Sequence, residues 1–308
     1  MRLDTLVIFH KQLGDVLLME PTVYKLYEAT GHTVGVATRK GFAPLIALMP
    51  HARAVGACLP GRARHAIAFD ASFKSAAAAA MSLAPSKELV LIQKKLQRPW
   101  HRLIFRNNIR YPADTEKYRA RYYFDAVAGD AEFRPPQLDR PPDAWKPDAI
   151  PADYCVLHTT SAWKSKSWPA EKWVQTLDEL ARQGVGPFLL TGGAAEWERA
   201  YIGSIMQATR AECVDLSGRT GLGQYLWLIA HARLVLCIDG SATHIAAAFR
   251  RPAVSLFGPT HPIHWHWPAE NSVLIDARAY APERKPPTDA IPVSAVIAAT
   301  QALLDRCR

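Results

Sequence analysis

Residues 234–249 read LVLCIDGSATHIAAAF, and the fold follows from reading outward from them. Residues 234–238 are an apolar strand that ends at Asp239. Gly240 permits a tight turn there. From Ser241 the segment is helical and rich in alanine, and Ala246, Ala247 and Ala248 allow helix and sheet to pack closely. The next apolar run, 253–257, is another strand, so the segment is one βαβ unit.

The alternation continues on both sides. Before the segment come a strand at 154–158, a helix at 169–183, a strand at 187–191, a helix from Ala194 to about Gln207, a short strand at 213–215 and a helix at 222–231. After it, a last helix spans roughly 292–307. Near the N-terminus, residues 5–10 are a short apolar run. Residues 14–29 then carry Val16, Leu17, Met19, Val23, Leu26 and Tyr27 at helical spacing. Gly31 closes that helix and 33–37 form the next strand. A basic loop around Arg62 and Arg64 leads to a strand near 66–69. Between the two alternating regions, Pro135, Pro136, Pro141, Pro142, Pro147 and Pro151 resist both helix and central strand, which marks an interdomain linker at 134–151. A chain of 308 residues exceeds the usual single core. The expected architecture is α/β, with two doubly wound, Rossmann-like domains facing a central cleft. They span 1–145 and 152–290, followed by a C-terminal helix at 291–308.

Composition is that of a soluble globular protein, and no apolar run approaches the roughly 20 residues that span a bilayer. The apolar segment at 6–9 is too short for a signal peptide, so the chain is expected in the cytoplasm. Its five cysteines (Cys58, Cys155, Cys213, Cys237, Cys307) are scattered, with no C-x-x-C pair. That indicates neither a disulfide framework nor a zinc ribbon, and Cys155 and Cys237 read as small buried hydrophobes. The formal charge of +9 is uneven: residues 86–121 hold ten Lys or Arg against three Asp or Glu. Such a bias suits an acidic partner or merely a solvated face.

Ligands of open parallel sheets bind beyond the C-terminal strand ends. Four loops at such places are polar: 11–15, 158–161, 191–193 and 239–244. At the last, Ser241 and Thr243 lie in the first turn of a helix whose unpaired N–H groups and dipole suit a phosphate. Ser241 taken alone reads as an N-cap. Thr159 and Thr160 follow a buried strand, and Lys166 comes just before Trp168 and Pro169 begin a helix. Together they make a second half of a diphosphate cradle. No G-x-x-x-x-G-K-[ST], no G-x-G-x-x-G and no D-x-D carboxylate pair is present. Charge on a departing diphosphate would then be met by Lys166 and helix dipoles, not by a metal ion.

Several segments together resemble the lipopolysaccharide heptosyltransferases of glycosyltransferase family 9. They are Leu13-Gly14-Asp15-Val16, Phe69-Asp70 through Lys74-Ser75, His158-Thr159-Thr160 with Lys166-Ser167-Trp168-Pro169, 189–193, 239–248 and Phe257-Gly258-Pro259-Thr260. The resemblance implies a GT-B fold and an inverting transfer of heptose from ADP-heptose, without a cofactor, to the Kdo/heptose inner core. It assigns Asp15 as catalytic base and Thr159, Thr160 and Lys166 to the diphosphate. Asp239, Gly240, Ser241 and His244 fall on the donor loop, and Thr191, Gly192, Gln224 and Thr243 complete the donor residues. Two departures stand out. Family members usually read Asp-Thr-Gly or Asp-Ser-Gly where this chain has Asp239-Gly240-Ser241. An acidic residue that holds the ribose is replaced by Gln224. A helix start keeps Asp15 ionised, so as a base its pKa must be raised by burial or by the bound anionic donor.

The acceptor of this family is an acidic, membrane-embedded lipid A–Kdo or heptosylated core, which gives the basic stretch a role. Pro99 can begin a short helix with Trp100, Leu103 and Ile104 on one side and Arg98, Arg102 and Arg106 nearby, suited to an anionic membrane surface. Lys11, Arg62 and Lys74 are the expected acceptor-binding residues. His261, His264 and His266 look like a zinc cluster, but Pro262, Trp265 and Trp267 suggest a cleft-lining loop and no metal is expected. Two other classes compete: a nucleotide-sugar epimerase on a similar fold, and a nucleic-acid binder. The second has no recognised motif, so no nucleic acid is expected as partner.

Overall fold

A computed structural model describes residues 2–56, 62–106, 108–111 and 116–307; Cys58 lies outside them. The chain forms two compact units, Met1–Asp139 and Arg140–Arg308. In the first, β1 (Arg2–Ile8), β2 (Val34–Ala37), β3 (Ala52–Val55), β4 (Arg62–Ala68), β5 (Ser86–Val90) and β6 (Ile109–Arg110) form one sheet in the order β3-β2-β1-β4-β5-β6. In the second, β7 (Cys155–His158), β8 (Phe188–Thr191), β9 (Cys213–Asp215), β10 (Leu234–Ile238), β11 (Ala253–Phe257) and β12 (Ser272–Asp276) are ordered β12-β11-β10-β7-β8-β9. Every pairing in both sheets is parallel.

Counted from its own first strand, each unit has the order 3-2-1-4-5-6. The chain builds outward on one side of the first strand, then crosses to the other side with the fourth. Loops leaving these two neighbours diverge, opening a crevice at their C-terminal ends. In the first unit that point lies between β1 and β4, and in the second between β7 and β10.

Apolar runs sort the strands into the core. β8, β10 and β11 are buried along their whole length, as expected for a sheet covered on both faces. Trp168, Trp173, Leu177 and Leu180 cover the second sheet together with Val296 and Leu303 of the last helix, Val293–Arg306. That helix is part of the second unit's core. Cys155 and Cys237 are buried there, Cys213 is half-buried and Cys307 exposed, all as free thiols. Among the described residues no helix is long and apolar enough to cross a membrane.

The structure departs from the sequence reading in three places. The single helix at 14–29 is two, Leu13–Leu17 and Glu20–Thr30, because Pro21 lacks the N–H that would continue the first. Arg62 and Arg64 are not in a loop but on β4, whose alternating exposed and buried start hides their strand character. Residues 140–145, read with the first domain, go with the second. There the Trp145 indole lies 2.9 Å from where a Cβ on Gly223 would stand, so only glycine fits beneath it. The preceding prolines are anchored to the first unit. Glu20, fully buried, accepts two hydrogen bonds from Arg134 (3.0 and 2.6 Å) and one from the Gln137 N–H (2.9 Å). Burial raises the Glu20 pKa, and Arg134 opposes that rise.

Candidate functional site

The second unit's switch point gathers most of the expected donor residues. β10 ends at Ile238, and the Asp239 N–H donates to the Leu256 carbonyl (2.8 Å), fixing the residue at the strand end. Lys166, in the short turn Lys164–Lys166, places Nζ 2.5 Å from Asp239 Oδ2, with both side chains largely out of water. The ammonium also sits 4.9 Å from the Trp163 ring centre. Lys166 is held from behind, where the Thr288 hydroxyl donates to its carbonyl (2.9 Å). Thr288 in turn rests on Gly258: a Cβ there would stand 2.7 Å from the Thr288 nitrogen and 2.9 Å from its Cα.

Gly258→Ala therefore drives a methyl group against the Thr288 backbone beneath Lys166. We expect a loss of about 1–3 kcal/mol, roughly 2–4 °C of melting temperature per kcal/mol for a chain this long. Thermal melting checks it, and an unchanged melting temperature would contradict the contact.

Gly240 is the N-cap of helix Ser241–Ala248, with an extended backbone, so Ser241 is the first helical residue and its hydroxyl caps nothing. The N-cap reading of Ser241 is thereby corrected. Thr159 is buried, and its hydroxyl has no hydrogen-bond partner among the described residues. Thr160 donates to Glu198 Oε2 (2.6 Å), which also accepts the Gly193 N–H (2.9 Å). The two threonines thus differ: the Thr159 hydroxyl is unpaired among the described residues, while the Thr160 proton is spent on Glu198. His244 is buried beside this loop. Burial lowers its pKa to about 4, with Asp239 opposing and Lys166 and His266 adding to the fall, so it is neutral at pH 7. Thr243 turns inward, its hydroxyl 3.4 Å from Cys237 Sγ, and does not face the crevice loop.

Next to these loops lies a cavity of about 220 Å³ lined by His158, Gly192, Gly193, Thr220, Gly221, Leu222 and Tyr225. Whole-ligand pockets run to roughly 300–1,000 Å³, so this one suits part of a nucleotide. His158 Nδ1 lies 2.9 Å from the Thr191 hydroxyl, and burial lowers its pKa to about 4. A Cβ on Gly192 would meet Ile202 at 2.6 Å and Thr160 Oγ1 at 3.2 Å, so a side chain at this point of the cavity wall must turn Ile202 aside. Gln224 spends its side-chain oxygen on the Gly221 N–H (3.0 Å), closing the first turn of helix Leu222–His231. Its amide NH₂ keeps the donors that a ribose hydroxyl would need. Glu198, Thr220, Gly221 and Leu222 were not singled out from the sequence, because nothing in their spacing marks them; only the strand-end topology does.

In the first unit, Asp15 lies half-buried in the first turn of helix Leu13–Leu17, directly after β1. Its charge, with burial as the larger cause, raises the pKa of the Tyr123 phenol. At the neighbouring strand end, Asp70 accepts the His10 N–H (2.8 Å) and the Ser75 hydroxyl (2.6 Å). Lys11 and Lys74 are exposed at this same end of the sheet. Arg62 is not: it opens β4 opposite Arg2, six residues before Ala68 and so about 20 Å from the switch point. It belongs to the opposite end of the strands, where they begin. The His261, His264 and His266 imidazoles do not converge. His261 accepts the Ile263 N–H (3.3 Å), His266 Nε2 is 3.0 Å from the Ser272 hydroxyl, and among the described residues no three metal-ligating side chains come together.

Two all-parallel Rossmann units, the second carrying a cation and a helix N-terminus at its switch point, are the architecture of the GT-B fold. Residues 66–289 match glycosyltransferase family 9 (heptosyltransferase), and the chain belongs to that family. Lipopolysaccharide heptosyltransferase 3 of Escherichia coli K12 is 30% identical over 195 residues, 59% of this chain and 55% of that protein. The chain thus spans about half the length of the curated relatives it matches. The structure of E. coli ADP-heptose lipopolysaccharide heptosyltransferase II superposes with a TM-score of 0.82 at 21% identity, covering 99% of each chain. E. coli heptosyltransferase WaaC with ADP gives 0.76 at 18% identity, covering 98% of this chain and 100% of that one.

Proposed function

We propose that this protein transfers heptose from ADP-heptose, with inversion, to the Kdo/heptose inner core of lipopolysaccharide. The observation that carries the reading is the second unit's switch point: Lys166, the open hydroxyl of Thr159 and the first turn of helix Ser241–Ala248 cluster around Asp239. Hydroxyl, ammonium and unpaired N–H groups together suit a pyrophosphate. The neighbouring cavity takes the nucleoside, with the Gln224 amide toward a ribose hydroxyl. The solved relative whose structure contains ADP supports the choice of nucleotide.

In the reaction, Asp15 takes the proton of an acceptor hydroxyl as its oxygen bonds to the anomeric carbon, on the face opposite the breaking bond to ADP. The bonding pair of that bond leaves with the diphosphate, whose charge Lys166 and the helix dipole stabilise without a metal ion. Inversion follows from a single displacement. A mass-spectrometric donor screen against Kdo-terminated lipid A and heptose-extended cores tests the reading. ADP-heptose should give a product heavier by one heptosyl unit; transfer only from another nucleotide sugar, or a rearranged donor with no acceptor present, would overturn it.

The lipid-borne acceptor places the enzyme at the cytoplasmic face of an anionic membrane. Phe73, Met81, Leu83, Leu96 and Leu103 are exposed apolar side chains within one stretch of the first unit. They are interspersed with Lys94, Arg98 and Arg102, which line a cavity of about 400 Å³. Apolar insertion combined with basic charge is the pattern of interfacial attachment. Binding to anionic vesicles should weaken as salt rises and on combined Arg102→Glu and Arg106→Glu; sedimentation with vesicles measures it, and unchanged binding removes the membrane role.

A further inference from the structure

His10 follows β1 by two residues, between that strand and the helix carrying Asp15, and its ring is nine-tenths buried. Its surroundings fix its tautomer. The Ser75 hydroxyl has one proton, and at 2.6 Å from Asp70 Oδ2 it faces a group that only accepts. Ser75 Oγ therefore meets its other neighbours as an acceptor. One is the Ser72 hydroxyl at 3.2 Å, and the other is His10 Nδ1 at 2.9 Å. Asp70 is satisfied by the His10 N–H, the Ser75 hydroxyl and, through Oδ1, the Ser72 N–H at 2.8 Å. Each of these bonds has its proton accounted for, so Nδ1 carries the hydrogen and Nε2 presents a lone pair.

That nitrogen is the open end of the network: Nε2 is buried and has no hydrogen-bond partner among the described residues. Burial, with Lys74 and Arg39 adding to it and Asp70 opposing, lowers the pKa of the ring, which keeps the lone pair available at neutral pH. A buried acceptor at a switch point, left unpaired, calls for a donor from outside the chain.

We propose that His10 Nε2 accepts a hydrogen bond from a hydroxyl of the acceptor sugar, and that the exposed cations Lys74 and Arg39 beside it meet an acidic group on the same sugar. This rests on the transferase reading and narrows the acceptor to a sugar acid, or a phosphorylated sugar, with a free hydroxyl near its anion. Nε2 is covered in the ligand-free molecule, so the hydroxyl reaches it once a covering side chain turns away. His10 thereby orients the acceptor, while proton removal stays with Asp15.

The test varies the acceptor, Kdo-terminated lipid A, at saturating ADP-heptose. His10→Phe, which keeps a ring and removes the lone pair, should raise the acceptor KM at least tenfold with donor KM unchanged, while loss of the Nδ1–H bond to Ser75 lowers the melting temperature by a few degrees. His10→Gln, whose amide oxygen can stand in for Nε2, should recover most of that loss. Acceptor KM within twofold of the unaltered chain in His10→Phe would overturn the proposal. So would a joint fall in kcat and melting temperature with acceptor KM unmoved, since that marks a purely structural ring. Nitrogen-15 NMR of the ligand-free imidazole reads the tautomer without turnover, and a protonated Nε2 at neutral pH would overturn the proposal independently. Absence of heptosyl transfer by the unaltered chain would instead defeat the transferase reading, so the two failures are told apart.

Discussion

Asp15→Asn should lower heptosyl transfer by roughly 10²–10⁴-fold, the range for loss of a general base, while ADP binds as tightly as before. The two effects separate because the carboxylate and the nucleotide residues are on different units of the chain. Asparagine keeps the shape of the side chain and removes its basicity. Asp15 also stands in the first turn of a helix, where a carboxylate contributes only about 0.3–1 kcal/mol through the dipole. The variant should therefore stay folded, and its melting temperature checks that. Product formation by mass spectrometry and ADP binding by calorimetry are the readouts. Turnover surviving within a few-fold would remove Asp15 from the mechanism.

Lys166→Met should be nearly as damaging, by a different route. Lys166 and Asp239 form a largely buried pair, so deleting the cation leaves a largely buried carboxylate without its counter-charge. Removing one partner of such a pair costs about 3–5 kcal/mol. The departing diphosphate also loses its cation, which at sites of this kind costs about 10²–10³-fold in kcat. A second substitution separates the two losses. Adding Asp239→Asn to Lys166→Met removes the stranded charge, so melting temperature should recover much of its loss while transfer does not. If the double variant regains both, Lys166 matters only as the partner of Asp239.

The strands at 213–215, 234–238 and 253–257, and the helix at 222–231, were legible from sequence to the residue. The strands at 234–238 and 253–257 are largely apolar runs, and the helix at 222–231 starts directly after Gly221. β12 and β5 were not, since Ser272–Asp276 and Ser86–Val90 have half-exposed positions that dilute the apolar signal. Helix Phe73–Met81 was hidden in a run of alanines with too few large side chains to show a period. At the site, polar residues directly after buried strands point to Thr159 and Asp239, and Lys166 stands out as a cation just before a helix start. Sequence could not say that Lys166 pairs with Asp239, that Thr160 is occupied by Glu198, or that Thr243 faces Cys237. Those depend on distances between segments far apart in the chain. Arg62 reads as part of a loop because β4 begins with alternating exposed and buried residues, which hides that it opens the strand far from its C-terminal end.

The touching backbones at Gly258 and Thr288 bear on how this donor site can diversify. A Cβ at Gly258 would press on the Thr288 main chain and cannot be added without moving that segment, whereas at Gly192 it would meet the terminal methyl of Ile202, which must turn aside. Thr220 and Leu222 are another matter, since they line the cavity proposed for the nucleoside from a loop and a first helical turn. Evolution, or a designed library, can therefore explore new bases and sugars at that rim while the frame beneath it stays unaltered.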